Sequence, residues 1–212
     1  MLELMAPHGF AKASSGGIER WRGDRYDYMG CVVNQIGGAT KVSPFGQMGF
    51  GHRRRIYSHF MSDVPDESNA VAVDVQLRYA HFAKDWTAGM RCQQIEHLDA
   101  FLQQLLSFVS NQLYPALMAY SSPEKVLDAY LKKNEKDSKS FDPPSWFGAS
   151  SALTCLILAR LHGPTHYPSL KQRYSVQFSD LDQETFERAS RLIAYLDLPD
   201  PLPPLQELRG AP

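Results

Sequence analysis

The stretch Ile18–Ile36, IERWRGDRYDYMGCVVNQI, reads as two β-strands joined by a short turn. Ile18–Arg22 and Tyr26–Ile36 are rich in aromatic and β-branched residues, and Gly23-Asp24-Arg25 between them has the composition of a hairpin connection. In the second strand a period of two puts Tyr28, Val32 and Ile36 on one face. Met29, Cys31, Val33 and Gln35 fall on the other. Both faces are partly apolar, which predicts a central strand or one covered on both sides. Gly37-Gly38 ends it.

Toward the N-terminus, Leu2, Leu4 and Met5 resemble the last turn of a helix closed by Pro7 and Gly9, with Phe10 packing back on the core. Toward the C-terminus, Phe45–Tyr57 is a third candidate strand, in which Gly46, Gly49 and Gly51 suggest a bulge or bend. A polar loop at 63–69 follows. Ala70–Phe82 then alternates cleanly, Val71, Val73, Val75, Leu77 and Tyr79 against Ala72, Asp74, Gln76 and Arg78, predicting one buried and one wet face. Short links between these strands favour an antiparallel meander.

The period then changes. Leu98, Phe101, Leu102, Leu105, Val109 and Leu113 recur at three and four residues, predicting a long amphipathic helix that ends near Pro115. Ser122-Pro123-Glu124 opens another helix, with Ser122 as cap. Polar KKNEKDSKSFDPPS separates this part from helical segments near 150–161, 167–177 and 183–195. Asp180 or Asp182 caps the last, and Phe186, Ala189, Ile193 and Leu196 form its stripe. The expected fold is α+β: an antiparallel sheet of about four strands packed with a long helix, then a helical C-terminal part. Residues 1–134 form the α+β core, and 135–212 a polar loop and helical extension packed on it. The proline-rich end reads as an extended strap.

With 212 residues, 43% hydrophobic, the chain can bury one sizeable core. A net charge of −1 is not that of a general nucleic-acid or membrane-surface binder. The first 60 residues nevertheless lean basic and residues 179–212 lean acidic. Cys31, Cys92 and Cys155 form no CxxC or zinc spacing, as expected of reduced thiols. No leader-like segment opens the sequence, and the most apolar run, Leu153–Leu161, is short and interrupted by Arg160. A soluble cytoplasmic protein is the expectation.

Few residues suggest chemistry. Arg53-Arg54-Arg55 on the third strand could hold a phosphate, but no aromatic platform or nucleic-acid motif accompanies them, which argues against a nucleic-acid partner. They read as a solvated edge or a protein contact. The run Gly46–Gly51 lacks the spacing of a phosphate loop. The seven histidines contain no HExxH, and Gly163-Pro164 breaks any helix between His162 and His166. No metal, cofactor or catalytic set is expected. Asp74 would share a polar face with Gln76 and Arg78 and pair with the arginines at 53–55. Trp146-Phe147 reads as a plug over the core or an exposed anchor. Asp180, Asp182, Glu184 and Glu187 form an acidic segment suited to a basic partner.

The run LMAPHGFAK (Leu4–Lys12), the Arg-Trp strand with its Gly-Asp turn and VVNQ (Val32–Gln35) resemble the opening of a family of small, uncharacterised bacterial proteins. The matching residues are Gly9, Phe10, Lys12, Arg20, Val33, Asn34 and Gln35, followed by the helix from Leu98 to Leu117. Here asparagine is followed directly by glutamine, where the family has a residue between them. Some members lie beside polymorphic toxins and are assigned as immunity proteins. The resemblance implies a non-catalytic protein that binds a bacterial toxin and neutralises it by occlusion. The alternative is an enzyme of unrecognised type. It would need a pocket on the sheet face holding Asp74, Arg78, Asn34 or Gln35 with a histidine.

Overall fold

The computed structural model describes residues 1–61, 74–83, 89–92, 94–135, 149–178, 182–200 and 202–204. The chain divides into two compact units, Met1–Phe50 with Val73–Ser145, and Gly51–Ala72 with Trp146–Pro212. The architecture is α+β, with a multi-stranded antiparallel sheet, helices packed against it and a helical C-terminal region.

The first unit holds β1 (Ala11–Lys12), β2 (Ile18–Arg22), β3 (Arg25–Ile36), β4 (Ala39–Phe50), β5 (Val75–Arg78) and β6 (Met90–Cys92). Strand order is β1-β2-β3-β4-β5, and β6 shares with β5 the far edge of β4. Two hairpins build its centre. Gly23, at φ +58°, turns β2 into β3. Gly37 and Gly38, at φ +58° and +79°, turn β3 into β4 with Ile36 opposite Ala39. Positive φ at both central residues matches the right-handed twist of the flanking strands, and glycine adopts it without strain.

β4 departs from expectation at both ends. It starts at Ala39, and its register with β3 runs unbroken from Ile36↔Ala39 to Arg25↔Phe50 without a bulge. Gly46 instead makes room. A Cβ there would stand 3.3 Å from the Leu117 side chain and 3.5 Å from that of Leu113, so the helix layer lies close on this point of the sheet. From Gly51 the chain is helical, α2 (Gly51–Met61), not strand. HRRRIYSHFM has no period-two alternation, and Arg53 and Ile56, three apart, share the buried face.

The late strand is likewise shorter. β5 ends at Arg78, and Tyr79–Ala83 turns into a short helix, α3. Residues 62–73, including all of the expected polar loop and the start of that strand, lie outside the described residues. Asp74 was expected on a wet face. It is fully buried, and its Oδ2 accepts the Phe50 N–H at 2.7 Å.

The covering helix layer runs through α4 (Leu98–Phe108), a π-helical turn (Val109–Leu113) and α5 (Tyr114–Ala119), past the expected stop at Pro115. Proline in an α-helix clashes with the carbonyl four residues back, here Asn111. The wider π turn contains that residue, so the helix continues instead of ending. Phe101, Leu105, Phe108, Val109, Leu113 and Leu117 are buried along it, as are Ile18, Met29, Met48, Phe50, Val75 and Leu77 on the sheet. Met5 (α1, Leu2–Met5), Phe10, and Val126, Leu127 and Tyr130 of α6 (Pro123–Glu135) are buried as well.

A charge cluster pins this layer to the hairpin. Asp27 is fully buried and opposite Arg20 in the register. Its Oδ2 accepts from Arg20 Nη2 at 2.5 Å and lies 3.3 Å from Arg22 Nη2, while Oδ1 accepts from Arg25 Nε at 2.6 Å. Arg20 Nη1 also donates to the His8 carbonyl at 2.6 Å, and its guanidinium lies 4.4 Å from the Phe10 ring centroid. Arg25 donates from Nη1 to the Tyr120 carbonyl at 3.0 Å and from Nη2 to that of Leu117 at 3.4 Å, at the C-terminal end of α5. Burial lowers the Arg25 pKa, and the adjacent Asp27 opposes that shift.

The second unit gathers α2, α7 (Ala149–His162), α8 (Tyr167–Phe178) and α9 (Gln183–Leu196). Every residue from Ala152 to Ala159 is buried, so α7 is apolar all round and α2, α8 and α9 pack on it. Arg160 donates to the carbonyls of Leu196 (2.7 Å) and Leu198 (2.8 Å) and to Asp200 (3.0 Å), closing the end of α9. Asp182 is the cap of α9, accepting the Thr185 N–H at 3.0 Å. The α9 stripe is rotated from expectation: Ala189, Leu192, Tyr195 and Leu196 are buried, while Phe186 is exposed. Tyr195 donates to the Pro203 carbonyl at 3.0 Å, fixing part of the proline-rich end.

Replacing Asp27 with Asn leaves the buried Arg20 and Arg25 guanidiniums without their carboxylate. The expected loss is about 3–5 kcal/mol of folding stability, read from urea unfolding. The Asp182 pKa is lowered chiefly by the Thr185 backbone N–H. Its contribution is therefore present at neutral pH, above the ordinary carboxyl value, and lost as pH falls through the lowered native value. Asp182→Ala is expected to lower Tm at pH 7, with the difference from wild type shrinking as acid protonates the carboxyl.

Candidate functional site

Turning the charged side of the β2–β3 hairpin inward fixes what faces the other way. Arg20, Arg22, Arg25 and Asp27 share one face by parity, so Glu19, Trp21, Tyr26 and Tyr28 share the opposite one. Phe45, opposite Gly30, adds to that outer face from β4. Trp21 and Tyr26 lie 4.8 Å apart by ring centroid, Tyr26 and Tyr28 6.5 Å, and Tyr28 and Phe45 5.8 Å. Four aromatic side chains thus form a continuous row across three strands. Trp21 is 55% exposed, and the other three are half-buried.

Two glycines let the row lie down. Gly17 and Gly30 lack the Cβ that would stand 2.5 Å from the Tyr28 ring and 3.1 Å from both Tyr28 and Phe45, respectively. The Tyr28 hydroxyl accepts from Ser15 Oγ at 3.2 Å, and the Tyr26 hydroxyl donates to Glu19 Oε2 at 3.2 Å. These bonds hold the polar tips and leave the row's apolar area to the surface.

Basic residues flank the row on the same face. Lys41 opposes Asn34 and Arg91, and Arg78 opposes Phe45. Arg78 donates to Gln76 Oε1 at 2.9 Å from Nη2. The face is therefore aromatic in the middle and cationic along the β4–β5–β6 side. Val32 and Ile36 extend its apolar part toward the Gly37-Gly38 turn, 50% and 52% exposed.

The residues singled out from sequence lie elsewhere. Arg53, Arg54 and Arg55 occupy successive helical positions of α2, not a strand. Arg53 is buried with its guanidinium 5.9 Å from the Tyr57 ring centroid, Arg54 is half-buried and Arg55 exposed, so the three do not form one patch. In the acidic segment Asp182 is spent on the α9 cap, Glu184 pairs with Arg188 at 2.5 Å, and Glu187 accepts from Gln183 at 3.1 Å. Trp146, Phe147 and Asp180 lie outside the described residues.

The polar set named for an enzyme is dispersed. Asp74 is buried under the Phe50 amide. Asn34 and Gln35 are exposed near the β3–β4 turn, where Gln35 donates to Thr40 Oγ1 at 2.9 Å. Arg78 opposes Phe45, four residues along β4 from the Lys41 that opposes Asn34. His81 Nδ1 accepts the Arg78 N–H at 2.7 Å, and burial lowers its pKa, so it serves the start of α3 as a neutral ring. A cleft of about 490 Å³ is lined by Tyr79 and Phe82 and by Gln103, Gln104, Phe108 and Gln112 of the covering helix. Among the described residues neither carboxylate nor histidine lines it. Among the described residues no three His, Cys, Asp or Glu converge as metal ligands, and no helix is long and apolar enough to cross a membrane. Burial raises the pKa of Cys31, and that of Cys155 to about 11, which keeps both as thiols.

The aromatic row was missed because its signal is split over three strands. Period two along Tyr26–Ile36 gives Tyr28, Val32 and Ile36 one face, but nothing local joins Trp21 or Phe45 to it. Comparison with protein-family models, with curated proteins and with solved structures gives no match.

Gly17→Ala places a methyl group 2.5 Å from the Tyr28 ring and 2.6 Å from the Met29 carbonyl oxygen. It is expected to displace the ring and cost about 1–3 kcal/mol of stability in urea unfolding. Gly16→Ala has open space around its Cβ but a φ of +88°, so any loss there reports backbone strain alone.

Proposed function

We propose that the chain is a non-catalytic binding protein that holds a protein partner on the outer face of its sheet. The observation that carries this reading is the continuous row Trp21–Tyr26–Tyr28–Phe45 on the face of the sheet opposite the buried charge cluster, with a large indole more than half exposed. Aromatic anchors of this kind, framed by polar groups, dominate the energetics of protein interfaces. The cationic side at Lys41, Arg78 and Arg91 fits a partner whose apolar contact is bordered by carboxylates. Neutralising a bacterial toxin by covering its active site is the specific form of this function that the family resemblance suggests. Occlusion needs shape and charge and no catalytic residues, in keeping with the dispersal of Asp74, Asn34, Gln35 and Arg78.

A single-stranded nucleic acid is bound by related chemistry, stacking plus cations. The row favours protein, because Tyr26, Tyr28 and Phe45 are half-buried against one another and offer few open ring faces for bases. Affinity capture from the native cytosol with mass spectrometry, using wild type and Trp21→Ala in parallel, tests the reading. The expected outcome is one stoichiometric protein retained by wild type, with affinity reduced about 30-fold or more in Trp21→Ala. A partner indifferent to Trp21→Ala, or capture of nucleic acid alone, counts against it.

A further inference from the structure

β3 is paired unequally along its two edges. β4 accompanies it from Arg25 to Ile36, whereas β2 covers only Arg25–Met29. From Gly30 to Ile36 no strand among the described residues occupies its other edge. An antiparallel strand directs the N–H and C=O groups of alternate residues to each side. That edge therefore offers main-chain donors and acceptors that no described strand meets. The side chains around it are open on both faces of the ribbon: Val32 and Ile36 are 50% and 52% exposed on the outer face, and Val33 59% on the inner. Among the described residues no helix covers Val33 on the inner face.

Proteins that keep such an edge solitary place lysine, proline or a bulge on it. Gly30-Cys31-Val32-Val33-Asn34-Gln35-Ile36 has none of these, and its register with β4 is unbroken. We infer that this edge pairs antiparallel with the same edge of a second copy of the chain, joining two sheets across a twofold axis.

Three features point to a second copy and not to a foreign strand. The segment bears no charged side chain, which self-pairing requires, because about a twofold axis any charge sits close to its twin. The Cys31 thiol, its pKa raised by burial, adds none at neutral pH. Capture of a foreign strand draws its specificity from pockets for alternate side chains, and a ribbon exposed on both faces provides no such pocket. Parity also favours the symmetric arrangement. About a twofold axis normal to the sheet each residue on the axis faces its own copy, so residues of equal parity meet and the outer faces of both copies lie on the same side of the joined sheet. A strand pair this short buries less than the roughly 1,200–2,000 Å² of a stable interface, so the dimer is weak and concentration-dependent.

Analytical ultracentrifugation of the full chain across the micromolar range tests the inference, alongside Val33→Lys and Val32→Lys. Both positions are exposed, on opposite faces, so neither variant disturbs the core. The expected result is a reversible shift of wild type toward dimer mass, weakened at least about tenfold by each lysine, with an unchanged thermal melt. Trp21→Ala is expected to dimerise like wild type, which separates failure of this inference from failure of the partner-binding reading. A wild type that remains monomeric throughout, or a dimer indifferent to both lysines, overturns it. Hydrogen exchange of wild type gives an independent readout: protection that grows with concentration is expected at Gly30–Ile36, and its appearance only elsewhere overturns the inference.

Discussion

A single buried carboxylate organises the first unit. Asp27 receives Arg20, Arg22 and Arg25, and through them reaches the His8 carbonyl and the carbonyls that end α5. The cost of burying these charges is met because the guanidiniums find oxygens in a fixed geometry. Two strands, the N-terminal segment and the covering helix therefore share one electrostatic centre. Because side chains alternate along a strand, committing the charged side inward commits Trp21, Tyr26 and Tyr28 outward. The aromatic face is thus a consequence of where Asp27 is placed.

Cationic closure of helix ends recurs across the chain. Arg25 meets the last carbonyls of α5, Arg160 those at the end of α9, and Arg188 donates to the Met61 carbonyl at the end of α2 at 3.4 Å. Each places a guanidinium at the negative pole of a helix dipole, where terminal carbonyls lack intrahelical partners. Arginines that look like a surface resource in the sequence are in this way partly spent on structure, as acidic residues are at the α9 cap and in the Glu184–Arg188 pair. This is why charge runs in the sequence did not mark the candidate site.

The sheet presents two kinds of opening with different chemistry. Its outer face offers side-chain area with a cationic border, suited to a folded surface. The end of β3 that no described strand pairs beyond Met29 offers main-chain hydrogen bonds and no charge, suited to another strand of the same kind. The two lie on one ribbon, so two partner faces would be displayed together if copies join there, and a partner with two matching sites would then bind with avidity.

Local pattern sufficed for much of the fold. The β2–β3 hairpin, the glycine turn after Ile36, the N-terminal turn closed at Gly9 and the C-terminal helices follow from period and punctuation, which depend on neighbours in sequence. The Ser122 cap was legible for the same reason, since a cap acts within three residues, and for α9 the structure chooses Asp182 from the pair Asp180 and Asp182. Three things required tertiary structure. The helix passes Pro115 because a π turn relieves its clash. The alternating pattern around Asp74 faces inward at that residue because the Phe50 amide meets its carboxylate there. Most consequential, local pattern leaves both sides of IERWRGDRYDY as candidates for burial, and the charged side is the one that turns inward. It turns inward only because His8, Leu117 and Tyr120, far along the chain, bring carbonyl oxygens to Arg20 and Arg25. Sequence by itself determined that charged and aromatic residues occupy opposite faces; which of the two meets solvent was decided by those distant partners.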